Sequence, residues 1–318
     1  MLQLKARKLL RVLHRRKSDH VNHKDVVHLP KVNSKHPKSA MLAQTLRKRD
    51  DKAFVFATRV KDAQKSMLAV ETLAAIYNLA CECGGPIIEI GAYIGGATLA
   101  LLEATRKRRN IVVSVEFGVA NDRPEISTKD SVADLQRNVE SWGLADERHV
   151  VLPGWTLEAW LAGNILLELA GNRADLFVVD SDGFVERDFI YFHPLLNDGA
   201  ILVFDDYWQP KAGGKSERIA PFVDDMLSRG VVSEIALLPW GTWFGQLIRR
   251  PRSEEIEPYR RKWRQEGWPW LDFLDQQRKA QHLPRAKELK ARLLPFQFTD
   301  HKSNIEKGPE AYKGIRAI

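Results

Sequence analysis

The stretch Pro86–Ala104, PIIEIGAYIGGATLALLEA, constrains the fold more tightly than any other part of the chain. Ile87, Ile88 and Ile90 form an apolar run broken by one acid, Glu89. A short run of this kind reads as a strand buried on both faces. The turn Gly91-Ala-Tyr93-Ile-Gly95-Gly96 follows, and Thr98, Leu99, Ala100, Leu101, Leu102 and Ala104 then predict a helix packed back on the sheet. Strand, glycine turn and helix form the opening unit of a doubly wound α/β domain, which takes its ligand at the carboxyl ends of the strands. Glycines there let the backbone approach a ligand that a side chain would exclude. The spacing is not the GxGxxG of dinucleotide folds, and a tight strand–helix turn also occurs with no ligand, so the downstream chain decides.

Downstream, strands and helices alternate. Ile111–Val115 is β-branched and predicts a second strand ending at Glu116, where an acid can accept both ribose hydroxyls of a nucleoside. Ser131–Trp142 predicts an amphipathic helix stopped by Gly143, and His149–Leu152 a third strand followed by Pro153-Gly154-Trp155. A helix over Leu157–Leu169 leads to a fourth strand, Asp175–Val179, with Asp180-Ser-Asp182-Gly183 at its end. A helix over Val185–Leu196 and a turn at Asn197-Asp198-Gly199 lead to a fifth strand, Ala200–Phe204, which ends in Asp205-Asp206-Tyr207. Val231–Leu238 and Thr242–Ile248 read as two strands joined by a tight turn, a closing antiparallel pair. Ahead of the glycine turn, the apolar spacing from about Lys65 to Ala80 predicts a helix covering the sheet.

Four carboxylates therefore fall at the carboxyl ends of two neighbouring strands: Asp180, Asp182, Asp205 and Asp206. Crowding them raises their pKa values and costs stability, and a divalent cation relieves the repulsion. Oxygen-only ligands favour Mg²⁺, Mn²⁺ or Ca²⁺ over zinc. The bland alternative, helix capping by Asp182 and Asp206, explains one acid better than it explains two doublets.

The turn Glu89–Gly96, ExGxxxGG, resembles motif I of the class I S-adenosylmethionine-dependent methyltransferases. The resemblance implies that Gly91, with Tyr93, Gly95 and Gly96, lies against the cofactor, that Glu89 organises the turn or reaches the methionine amine through water, and that Glu116 holds the ribose. GLADERHVVLPGWTLEAW resembles the macrocin-O-methyltransferase-like sugar O-methyltransferases, in which a Gly-Trp follows the third strand. Gly154 and Trp155 thereby join the cofactor contacts, with Trp155 equally readable as a core residue. DLFVVDSDGF…PLLNDGAILVFDDY is similar to the D-x-D…GG-x-x-x-x-DDY pattern of that family. That likeness implies Asp180, Asp205 and Asp206 as ligands of Mg²⁺, Asp180 also beside the cofactor, and Asp182 as the catalytic base. Catechol and caffeoyl-CoA O-methyltransferases share the plan, usually with Asp-Asn in place of the pair. Phe184 stands where the family often has Tyr or His, Ala200 where it has the second Gly, and Ala97-Thr98 where Ser-Thr is common. The implied fold is a Rossmann-like, doubly wound, seven-stranded methyltransferase sheet over residues 65–250. The implied activity is methyl transfer to a hydroxyl of a small molecule, a sugar or a catechol-like phenol. A non-catalytic relative that binds a partner through its basic ends is the remaining alternative.

Composition bounds the rest. The chain has 318 residues and is 44% hydrophobic, enough to build a full core. A net charge of +8 suits an anionic partner: nucleic acid, anionic lipid or an acidic substrate. No RNA-binding module or base-methylating motif accompanies it, which argues against nucleic acid. Cys81 and Cys83 alone make neither a disulfide framework nor a zinc site, so a reducing, cytoplasmic setting is expected. No apolar run is long enough to cross a bilayer. Residues 1–64 read as a basic arm, with seven Lys or Arg and no acid from Met1 to Ser18. A membrane-surface helix, a solvated tail and a mitochondrial presequence all fit that composition. Residues 251–318 read as a helical extension carrying Trp263, Trp268, Trp270 and Phe273, for packing, a dimer contact or a sugar surface. Gln209–Arg218, with Lys211, Lys215 and Arg218, reads as a loop over the site, facing an anionic substrate or solvent.

Overall fold

A computed structural model describes residues 37–47, 50–118, 120–121, 126–154, 156, 159–208, 215–238 and 241–266. In chain order the elements are α1 (Pro37–Arg47), α2 (Asp51–Asp62), α3 (Val70–Glu82), β1 (Ile87–Ile90), α4 (Gly96–Ala104), β2 (Val112–Glu116), α5 (Ser131–Ser141) and β3 (His149–Pro153). There follow α6 (Ala159–Glu168), β4 (Ala174–Val179), α7 (Val185–Phe192), a 3₁₀ turn (His193–Leu195), β5 (Leu196–Phe204), α8 (Ser216–Ser228), β6 (Val232–Leu237), β7 (Trp243–Leu247) and α9 (Ser253–Glu266).

The seven strands form one sheet in the order β3-β2-β1-β4-β5-β7-β6. Neighbours from β3 to β5 are parallel, and β7 runs antiparallel to both β5 and β6. The order reverses between β1 and β4, the switch point at which a doubly wound sheet opens a crevice for its ligand. Ile90 is in register with both Val115 and Val179, and Val179 with Phe204. Glu116, Asp180 and Asp205 are thus delivered to one edge.

Alternation along the strands divides the core. Ile88 and Ile90 join Val113, Val115, Phe177 and Phe204 on the face covered by α6, α7 and α8. Ile87 joins Val112, Leu176 and Val178 on the other face, with α1 to α5. Glu89 shares the parity of Ile87 and so points to the α4 side.

Three boundaries differ from the sequence reading. The folded body begins before residue 65: Ala53, Phe56, Ala57 and Val60 of α2 are buried, at a spacing of one helical face obscured by interleaved charges. Phe56 meets Trp142 edge-on, with ring centroids 5.4 Å apart. The helix expected to reach Leu196 stops at Phe192, where Pro194 enters a 3₁₀ turn because it has no N–H to continue the ladder. The expected turn at Asn197-Asp198-Gly199 is instead the start of β5, which pairs Leu196 with Ala174 across a register shift. The basic stretch Met1–Ser18 and the aromatic residues Trp268, Trp270 and Phe273 lie outside the described residues.

Candidate active site

The turn after β1 forms the floor of a small cleft lined by Lys65–Leu68, Glu89–Tyr93, Gly96, Ala97, Val178 and Asp180 and open to solvent. Gly91 has φ +83°, and a Cβ there would lie 2.0 Å from the carbonyl oxygen of Asp180. Only glycine lets β1 leave the sheet so close to the end of β4. Gly96 touches the opposite wall: its missing Cβ would sit 2.5 Å from Ser66 Oγ. Gly95 has φ +97° and ends the turn as the N-cap of α4. Glu89 is buried beneath the turn, where its Oε2 accepts from Thr98 Oγ1 at 2.6 Å and Ser114 Oγ at 2.7 Å. Burial outweighs these bonds and raises its pKa to about 7. Glu89 therefore ties β1, β2 and α4 together under the cleft.

Glu116 forms a second buried carboxylate hub. Its Oε2 accepts from Tyr93 N at 2.6 Å, and its Oε1 accepts from Ser131 Oγ at 2.6 Å and Gly118 N at 3.1 Å. Burial raises its pKa. Tyr93, at φ +51°, also donates its hydroxyl to Ile126 O at 2.7 Å. Gly154 N donates to Glu116 O at 3.0 Å, which brings the end of β3 beside the end of β2. The turn, Glu116 and Gly154 thus stand together; Trp155 lies outside the described residues. His149 is a residue that sequence reasoning missed. Its Nε2 lies 3.2 Å from Ser114 Oγ, and burial lowers its pKa to about 4.

Asp180, Asp205 and Asp206 converge, each offering a carboxylate oxygen within 4.8 Å of the others. Among the described residues this is the one group of His, Cys and acidic side chains arranged to hold a metal ion. Asp180 N donates to Ile90 O and Asp205 N to Val179 O, so the sheet ladder itself sets the spacing. Thr242 Oγ1 donates to Asp205. Burial, then the charge of Asp205, raises Asp180 to about 8; burial also raises Asp205. Three converging carboxylate oxygen donors fit a hard divalent cation. The cation present in the structure is Lys215, whose Nζ lies 2.7 Å from Asp206 Oδ2 and 3.9 Å from Asp180 Oδ1. Burial alone would lower its pKa, but Asp180 and Asp206 raise it. Arg218 stacks over Phe184 at 4.2 Å, and the helix α8 that carries it starts at Ser216, so this part of the expected loop is helical.

Asp182 stands apart from that group. Arg187 forks onto it, Nη1 to Oδ2 at 2.8 Å and Nη2 to Oδ1 at 3.0 Å, and Phe184 N donates to it at 3.2 Å. Burial would raise Asp182, but the charge of Arg187 outweighs it and holds the carboxyl below its ordinary value. A carboxylate so held is a poor proton acceptor. The base implied for Asp182 thus meets a partner that sequence reasoning missed. Arg187 also binds Asp188, Nε to Oδ1 at 2.7 Å, and Ser181 Oγ donates to Asp188 at 3.1 Å. The available signal was Glu186-Arg187-Asp188, three consecutive charges opening a helix that the structure buries.

Residues 88–207 match the family model of a methyltransferase domain. Over that stretch the chain is similar to a methyltransferase domain. The family match spans the glycine turn, Glu116, the acid cluster and the Arg187 fork, and the seven-stranded sheet with its antiparallel β5-β7-β6 edge is the arrangement expected from sequence. Solved structures similar to the chain include the cofactor-bound Rv0187 from MTB, at 20% identity and TM-score 0.46, covering 64% of this chain and 92% of that one. The O-methyltransferase from Bacillus cereus in complex with SAH has 16% identity and TM-score 0.45, covering 67% and 97%. TomG, an O-methyltransferase from Streptomyces achromogenes in complex with SAM, has 16% identity and TM-score 0.44, covering 67% and 96%. No curated protein sequence matches the chain.

Proposed function

We propose that the methyltransferase domain moves the methyl group of S-adenosylmethionine to a hydroxyl of a small molecule bearing vicinal hydroxyls, a sugar or glycoside first. Asp180, Asp205 and Asp206 would hold a divalent cation, Mg²⁺ first. The observation that carries this reading is Asp180. It lines the cleft beside Gly91 and also belongs to the three-acid cluster, so a ligand in the cleft and a hydroxyl at the acids are neighbours.

Each residue then has a part. The turn Gly91–Gly96 lies along the cofactor, and Glu116 and Gly154 stand at its nucleoside end. Glu89 holds the turn to β2 and α4. Bound at the acids, a divalent cation supplies one thing: it lowers the pKa of a hydroxyl it touches. The hydroxyl oxygen attacks the methyl carbon in line, the carbon–sulfur bond breaks, and S-adenosylhomocysteine leaves. The proton departs to water at the exposed edge of the cluster, where the Asp180 side chain is 32% accessible. Asp182 positions the Asp180–Gly183 turn through its fork with Arg187. A cytoplasmic location, with the basic arm touching an anionic membrane surface, belongs to the same proposal.

The test is calorimetry with S-adenosylmethionine, with and without Mg²⁺, on wild type and Asp205→Ala. Methyl transfer is followed by mass across glycoside and catechol acceptors. The expected result is cofactor uptake by both proteins and a magnesium heat in the wild type alone. Cofactor uptake with no magnesium response discards the metal. No cofactor uptake discards the whole reading.

A further inference from the structure

One wall of the cleft is made by a segment outside the family match. Lys65–Leu68 joins α2 to α3, and all four residues line the cleft opposite the glycine turn. Little within the segment itself holds it. Its one internal side-chain bond runs from Leu68 N to Ser66 Oγ at 3.1 Å. What gathers it is Lys61, in the last turn of α2. Lys61 Nζ donates to Ser66 O at 3.2 Å, Met67 O at 3.0 Å and Leu68 O at 3.1 Å.

An ammonium has three N–H donors and no acceptor, so these three consecutive carbonyls use all of them. Each peptide unit is planar and trans, so a carbonyl turned toward Lys61 turns the N–H of the same unit away from it. One side chain thus sets the orientation of three successive peptide dipoles in the cleft wall. The wall has no slack on its other side either. Ser66 is buried, and Ser66 Oγ and Lys65 O lie 2.5 Å and 2.8 Å from where a Cβ on Gly96 would stand. A shift of the segment either opens the wall or collides with the first residue of α4.

We propose that Lys61 is a positioning residue for the cofactor: by gathering the carbonyls of Ser66, Met67 and Leu68, it holds the second wall of the cleft in its binding shape. The inference rests on the reading of the cleft as the cofactor site. It gives α2, packed on α3 and α4 with Phe56 and Val60 buried, a part in binding that its distance in sequence from the glycine turn conceals.

The experiment compares wild type, Lys61→Met and Lys61→Arg. Methionine keeps an unbranched stem and loses every donor, whereas arginine keeps the charge and donates from a planar fork. Cofactor affinity is measured by calorimetry, amide hydrogen exchange is followed peptide by peptide, and the thermal midpoint is recorded. The expected result for Lys61→Met is an affinity for S-adenosylmethionine lowered by about tenfold, faster exchange confined to residues 66–70, and a cofactor KM raised with kcat retained at saturation. Lys61→Arg falls between the two. Unchanged affinity overturns the inference, whatever the exchange does. So does a loss of affinity in which exchange rises across the whole sheet and the thermal midpoint falls in step, because the lysine is then a general stabiliser. A wild type that takes up no cofactor fails the proposed function itself, before any variant is compared.

Discussion

Two ionic clusters stand within a few residues of each other at the end of β4, and they are built on different principles. In one, Asp182 and Asp188 share Arg187, which is only 3% exposed and engages both carboxylates through paired N–H donors. In the other, Asp180, Asp205 and Asp206 face Lys215, which is 33% exposed and reaches one acid closely and a second at 3.9 Å. A guanidinium fork matches carboxylate geometry and stays charged when buried, so the first cluster is a fixed joint. An ammonium on a four-carbon stem is a mobile point charge that another cation can replace. Three acids against one half-exposed lysine leave a surplus of negative charge. The difference assigns structure to one cluster and exchangeable chemistry to the other.

Replacing Arg187 by Met breaks the comparison most severely. Asp188 would be left in the interior, and the partly exposed Asp182 beside it, with no counter-charge, and cutting one partner out of a buried ionic cluster costs about 3–5 kcal/mol. Denaturant unfolding should show a loss of that order, and Arg187→Lys should recover little of it, since one ammonium cannot fork onto Asp182 and reach Asp188 as well. A loss below about 1 kcal/mol would mean that the cluster is not a structural joint.

The contrast between the clusters also marks where sequence stops being informative. The succession of strands along the chain, the glycine turn and the placing of Glu116, Asp180 and Asp205 at the carboxyl ends of strands were legible, because apolar runs mark where each strand begins and ends. The pairing of Asp182 with Arg187 was not. Asp180 and Asp182 look equivalent as D-x-D, and only the helix that follows decides which of them meets a buried arginine. Lys215 was visible as a basic residue near the site, but its seat came from packing, its stem lying against Gly183, where a Cβ would be 2.7 Å away. The buried face of α2 was missed for a different reason. Ala53, Phe56, Ala57 and Val60 carry a helical face with little apolar bulk, and the basic residues around them dominate the composition.

A pH series sharpens the comparison, because the two clusters oppose each other in sign. Asp180 is raised from 3.8 to about 8, so between those values the folded protein holds a proton that the unfolded chain has released. Its contribution to stability is therefore present at low pH and lost as pH rises toward 8. Asp182 is lowered from 3.8, so its contribution is present above that value and lost as pH falls below it. Stability measured across pH 4 to 8 without divalent cations should decline, and Asp180→Asn should flatten the decline. A slope unchanged in Asp180→Asn would remove Asp180 as its source.

The smallest expected effect separates the clusters most cleanly. Lys215→Met removes a partly exposed ammonium, and ion pairs of that kind are worth about 1 kcal/mol or less. Its partners Asp180 and Asp206 keep access to water and protons, which Asp188 in the Arg187 cluster lacks, so the variant should fold with a near-normal denaturation midpoint. The informative readout is then the response to Mg²⁺. Removing the resident cation leaves the acids more negative, so added Mg²⁺ should stabilise Lys215→Met more than it stabilises the wild type, and Asp205→Ala in the same background should abolish the difference. If Mg²⁺ stabilises both proteins equally, Lys215 does not occupy the place a metal would take. If Lys215→Met costs as much as Arg187→Met, the two clusters are one kind of joint after all, and the exchangeable cluster must be sought elsewhere along the cleft.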